Sequence, residues 1–198
     1  MAYSDFTLET LRRDCQVEYK RVDFFTKPFR QVEPSQLLAQ MIGNSLKTLP
    51  LLTEKAKSEF LIAPVLYELH TINPHRFTIY SGFSFDVNEK LYGCCDYLLG
   101  SQPASLTVDA PIFCVVEAKN RSIEEGLGQC GAEMYAAWLF NQQTGKPIKT
   151  VFGTVTNGYD WVFLRFQGDA LQIDLDRFSI SNLPELIGVL QTIVESYL

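Results

Sequence analysis

Glu117 and Lys119 close an apolar run, Ile112-Phe113-Cys114-Val115-Val116, and stand two residues apart. In a strand that spacing puts both side chains on one face and sends Ala118 to the other. Charge at the end of a buried strand needs partners, because unpaired charge in an apolar setting is costly. Asp96 sits in the preceding strand-like segment and comes alongside Glu117 if the two strands pair. Two carboxylates ~4 Å apart repel by about 4 kcal/mol at an effective dielectric near 20, so a bound cation is the natural remedy. Lys119 offsets one charge. With Glu59 added from a neighbouring helix, three carboxylates against one lysine leave two negative charges over, which suits one hard divalent ion. Oxygen ligands favour Mg²⁺ or Mn²⁺ over zinc. A Glu-x-Lys at a strand end is also a common surface ion pair, so the surrounding elements decide what it means.

Those elements read as a mixture of helices and strands. Pro34-Ser35 opens a short helix over 36–49 that closes before Pro50. From Thr53 to about 70, Phe60, Leu61, Ile62, Val65, Leu66 and Leu69 recur with helical periodicity, and Pro64 predicts a kink. Strands follow at 76–87 and, after the turn Asn88-Glu89-Lys90, at 91–99, which carries Asp96. A polar loop over 100–110 leads to the central strand, apolar on both faces. Ser122-Ile123-Glu124-Glu125 matches a capping box and predicts a helix from there to about 142, with Leu127, Cys130, Met134, Trp138 and Leu139 on its apolar stripe. Asn157-Gly158 marks a tight hairpin between strands 148–156 and 159–166. A further strand, 170–175, and a last helix, about 183–197, complete the chain. Strand 112–119, helix 122–142 and strand 148–156 form a βαβ crossover, which implies a mixed central sheet with helices on its faces.

At 198 residues the chain suits one α/β domain, with a helical extension expected at about 1–50. Hydrophobic content of 46% excludes general disorder, and no apolar run approaches the ~18 residues of a membrane span. The start MAYSDFTLET lacks a signal-peptide pattern, and the reading is a cytoplasmic protein. Five cysteines without a CxxC pair fit neither a disulfide framework nor a zinc knuckle, and adjacent Cys94 and Cys95 would face opposite sides of a strand. His70 and His75, with no spaced partner, suit surface or turn roles. A formal net charge of −6 excludes a protein that coats nucleic acid through a general positive field. Any such contact must be local. The stretch 12–30, with Arg12, Arg13, Lys20, Arg21, Lys27 and Arg30, is one candidate, and a solvated charged face explains it equally.

The series SEFLIAPVLYEL, GCCDYLLG, FCVVEAKN and GQCGAEMYAA resembles the ordered motifs of the PD-(D/E)xK nuclease superfamily, over residues 58–137. In that order come a helical acid, an Asp on a strand, Glu-x-Lys on the next strand, and a helix bearing Gln. The resemblance implies a restriction-endonuclease-like fold, with metal ligation by Asp96 and Glu117 and the main-chain carbonyl of Ala118 as a further ligand. It assigns Lys119 to the attacking water or the developing phosphorane charge. Glu59 matches the helical acid, with Glu68 on the same helix as the alternative, and Gln129 matches the glutamine. The residue before Asp96 is Cys95 and not the proline of the motif's name. Beyond this stretch the chain resembles bacterial proteins of the superfamily, which adds fold and not substrate.

The function implied is hydrolysis of phosphodiester bonds, in DNA, with Mg²⁺ or Mn²⁺ as cofactor and Asp96, Glu117, Lys119, Gln129 and Glu59 as the working set. In such chemistry the metal polarises the phosphodiester and activates a water for in-line attack. The competing reading is an inactive nuclease-fold module that binds or regulates with a partner protein, and the acidic charge favours it. A homodimer would suit double-strand cutting. Schiff-base chemistry at Lys119 fits poorly, because neighbouring carboxylates keep the ammonium charged.

Overall fold

The computed structural model describes residues 1–101 and 106–197. Helix α1 spans Leu8–Cys15, α2 Gln36–Thr48, α3 Glu54–Lys57, α4 Ala63–Ile72, α5 Leu127–Gln143 and α6 Leu183–Tyr197. The strands are β1 Glu18–Val22, β2 Thr78–Ser84, β3 Cys94–Gly100, β4 Ile112–Ala118, β5 Thr150–Thr156, β6 Asp160–Gln167, β7 Ala170–Asp174 and β8 Phe178–Ser179. They form one mixed sheet in the order β1-β7-β6-β5-β4-β3-β2, with β8 beside β6. Part of the expected loop over 100–110, residues 102–105, lies outside the described residues.

Strand β4 is buried at all seven positions, as expected of a strand whose first five residues are apolar. Its residues divide between the two sheet faces. Cys114, Val116 and Ala118 join the core beneath α2, α4 and α6, whereas Val115 joins the core beneath α1 and α5. Strand β4 runs parallel to β5 through α5, which is the expected crossover, and antiparallel to β3. The hairpin at Asn157-Gly158 joins β5 to β6: Gly158 has φ +87°, and Asn157 Oδ1 accepts the N–H groups of Tyr159 and Asp160. The five cysteines are free, with Cys94 exposed and Cys95 buried. His75 occupies a left-handed turn position, and His70 packs edge-on against Phe77.

Three expectations change. The first 50 residues are not simply a helical extension, because β1 pairs parallel with β7 and edges the sheet. Short, mostly exposed and rich in charge, EYKRV shows no alternation that periodicity could register. The Ser122 capping box does not form: the Ser122 hydroxyl meets Glu124 Oε2 at 3.0 Å, a 3₁₀ turn occupies Glu124–Gly126, and α5 begins at Leu127. Before Pro64 the helix widens into a π turn, Ser58–Ile62, in which the Ala63 N–H reaches back to Ser58 O. A proline nitrogen cannot donate, and the widened turn accommodates the missing bond. Of the expected apolar stripe, Met134 and Cys130 are buried and Trp138 is half-buried, while Gln142 faces solvent. Among the described residues no helix is long and apolar enough to cross a membrane.

Candidate active site

The C-terminal end of β4 positions the site. Beyond Ala118 the backbone keeps its partnership with β5, the Lys119 N–H donating to Thr156 O at 2.8 Å. Glu117 and Lys119 therefore both project toward α5. On the other side the β3–β4 ladder stops at Tyr97 opposite Val116. One residue further, Asp96 substitutes its side chain for the ladder: Oδ2 accepts the Ala118 N–H at 2.8 Å. The strand pair splays at this point, and its next backbone donor is satisfied by a carboxylate.

Helix α5 supplies the second layer. Lys119 Nζ contacts Glu117 Oε1 at 2.6 Å and donates to Gln129 Oε1 at 2.9 Å. The other end of the same amide, Gln129 Nε2, donates to Glu133 Oε1 at 3.1 Å. Gln129 and Glu133 lie four residues apart and share one helix face. Gly126 lets the turn before α5 pass over this group, since a Cβ there would lie 2.6 Å from Val155 Cγ1 and 3.0 Å from Lys119 Cγ.

The electrostatics are dominated by acids in a dry place. Glu117 is 2% exposed and Glu133 fully buried. Glu117 Oε2 and Glu133 Oε2 have no hydrogen-bond partner. The charge of Asp96 acts on Glu117, whose Oε2 has no donor to offset it. Burial first, and the Asp96 charge second, push Glu117 up to about 8 against the pull of Lys119. Asp96 is also raised by burial, less the help of the Ala118 N–H. Burial and the charge of Glu117 hold Glu133 well above the ordinary carboxyl range. Burial lowers Lys119, but Glu117, Glu54 and Asp96 outweigh it, and its ammonium is stabilised.

The sequence-predicted residues Asp96, Glu117, Lys119 and Gln129 are thus brought together. Glu59 is not. It is half-exposed, pairs with Lys55 at 3.6 Å, and lines a surface groove with Met41 and Tyr67. Glu68 is committed elsewhere, accepting the Ser35 N–H at 2.6 Å and its hydroxyl at 2.8 Å. The helical acid whose charge reaches Glu117 and Lys119 is Glu54, in the first turn of α3. Glu54 and Glu59, five residues apart and separated by the start of the π turn, point in different directions around the helix. Glu133 was also missed by sequence reasoning. Its signal was available: a Glu four residues after Gln129 on a helix face otherwise made of small and apolar residues. Lys57 donates to the carbonyl of Asn120 and to Asn120 Oδ1, tying α3 to the residue after Lys119.

Asp96, Glu117 and Glu59 do not close into a three-carboxylate group. Among the described residues such a trio, with ligand atoms within 4.8 Å of one another, exists at Asp23, Asp174 and Asp176. There Lys27 Nζ already meets Asp23 and Asp176 at 3.1 and 2.8 Å, and Asp174 accepts the N–H groups of Phe24 and Asp176. That trio is satisfied by protein groups. In the basic stretch, Arg12 pairs with Glu18, Arg13 with Asp14 and Arg30 with Glu195, so much of its charge is neutralised locally. No protein-family model matches the chain, and no curated protein matches it.

Proposed function

We propose that this chain is a restriction-endonuclease-like nuclease that hydrolyses phosphodiester bonds in DNA with Mg²⁺ or Mn²⁺. One observation carries the reading: at the end of the central strand the buried carboxyl of Glu117 feels the charge of the half-buried Asp96, Glu117 Oε2 has no donor, and Lys119 meets only the other oxygen, Oε1. Such a pair needs a proton or a cation between its oxygens. All-oxygen donors suit a hard divalent ion, and Asp96 and Glu117 would hold it. When bound, the ion supplies Lewis-acid charge and lowers the pKa of a coordinated water.

The protein groups do the rest. A lysine ammonium has three donors and no acceptor. Glu117 and Gln129 take two of the Lys119 N–H bonds, and the side chain is 20% exposed, which leaves the third for a water or a phosphate oxygen. The amide of Gln129 fixes the direction in which that ammonium points. The backbone bond from Ala118 N–H keeps Asp96 from turning away when the charge between the acids changes.

The net charge of −6 and the locally paired basic stretch favour a second reading, a nuclease-fold module that works with a partner protein. Titrating Mn²⁺ and Mg²⁺ into wild type and Asp96→Ala by calorimetry, beside nicking of supercoiled plasmid and single-stranded oligonucleotides, separates the two. The nuclease binds metal through Asp96 and nicks. Metal binding without cleavage of any nucleic acid leaves the module, and equal heats in both proteins remove the site.

A further inference from the structure

Glu133 is fully buried in the middle of α5, yet neither the fold nor the proposed chemistry uses it directly. One of its oxygens accepts from Gln129 and the other has no partner. A buried acid satisfied at one oxygen is an expensive occupant of a helix core, where a well-packed apolar side chain of similar volume is often more stabilising. What it does for its neighbours follows from donor and acceptor logic. Lys119 offers only donors, so it must meet the oxygen of the Gln129 amide, and at 2.9 Å it does. The amide NH₂ then faces away and needs an acceptor in a buried place, and Glu133 Oε1 is that acceptor at 3.1 Å. Without it the NH₂ has no acceptor, and the bond from Lys119 alone holds the amide in place. Turned over, it would present NH₂ to an ammonium.

We infer that Glu133 is a positioning residue: through Gln129 it fixes the direction of the Lys119 ammonium and leaves one N–H of that group directed outward. The role rests on the nuclease reading for its use, since the outward N–H serves a water or phosphate there. It does not rest on that reading for its geometry. A neutral glutamine at 133 keeps an acceptor oxygen for Gln129, whereas methionine fills the space and offers no comparable acceptor.

The test needs neither metal nor nucleic acid. In protein labelled with ¹⁵N-lysine, the Lys119 ammonium signal is assigned by its loss in Lys119→Arg, and its proton exchange with water is measured in wild type, Glu133→Gln and Glu133→Met. The signal is expected to be slow-exchanging in wild type and in Glu133→Gln. In Glu133→Met exchange is expected to accelerate about tenfold or more, the scale set by a lost charge-assisted hydrogen bond, while the protein unfolds at higher denaturant. The inference is overturned if Lys119 gives no protected signal in wild type, if Glu133→Met exchanges as wild type does, if Glu133→Gln behaves like Glu133→Met, or if Glu133→Met fails to fold. Mn²⁺ calorimetry on the same proteins reports separately on the nuclease reading: its failure there leaves the ammonium result standing.

Discussion

Glu117 should make metal binding a proton exchange. Its carboxyl lies at about 8 in the folded protein against an ordinary 4.5, first because it is buried and second because Asp96 is beside it. The sign follows from which state holds the proton. Between those two values the unfolded chain has lost the Glu117 proton and the folded chain keeps it, so stability falls as pH rises through that window and levels off above about 8. At 1.36 kcal/mol per tenfold the full window is worth about 5 kcal/mol. A divalent ion that coordinates Glu117 must displace the same proton. Affinity should therefore rise about tenfold per pH unit up to about 8 and then flatten, so that binding at pH 6 is roughly 10² weaker than on the plateau. Calorimetric titration of Mn²⁺ at several pH values, each in two buffers of different ionisation enthalpy, measures affinity and protons released together. About one proton per ion is expected near pH 6.5 and few above pH 9. Glu117→Gln should remove most of the release and lessen the fall in stability of the metal-free protein with pH, the remainder coming from Asp96 and Glu133, which are also raised. Heats independent of buffer, with affinity flat from pH 6 to 8, would refute the reasoning.

Other outcomes follow from the same geometry. Lys119→Ala should preserve Mn²⁺ binding and lower plasmid nicking roughly 10²–10³-fold, the scale of one charge-stabilising contact of about 2.7–4 kcal/mol, and Lys119→Arg should rescue little because its planar fork does not fit the space of an ammonium. Gly126→Ala should destabilise the fold by about 1–3 kcal/mol in denaturant unfolding and disturb Lys119, since the added methyl overlaps both Val155 and the Lys119 stem. Glu54→Ala should change Mn²⁺ affinity by roughly two- to fivefold, as expected of an exposed charge acting at a distance, while Glu59→Ala should leave it unchanged. The reverse result, Glu59 affecting the metal and Glu54 not, would restore Glu59 to the site.

Much of this was legible in the residues alone. The five-residue apolar run Ile112–Val116 suits a central strand buried on both faces, so β4 and the position of Glu117-x-Lys119 at its end follow from local pattern. The Asn157-Gly158 hairpin and the crossover through α5 are equally local, because turn chemistry and helical periodicity act over a few residues. The sheet order and the edge strand β1 were not legible: EYKRV becomes a strand because β7 offers its free edge, a fact about distant chain segments. Nor could periodicity choose among the acids of the second helix. A π turn near Pro64 separates Glu59 from the first turn of the helix, and the cap of α2 claims Glu68, which leaves Glu54 as the helical acid whose charge acts on Glu117. The same holds for Glu133. From the sequence it is one polar residue on a helix, and only the packing of α5 against β4 and β5 decides that its carboxyl is sealed from water within reach of Gln129. Residue type and spacing determined which groups could do chemistry; the dielectric around them, and hence what they can do, was decided by the fold.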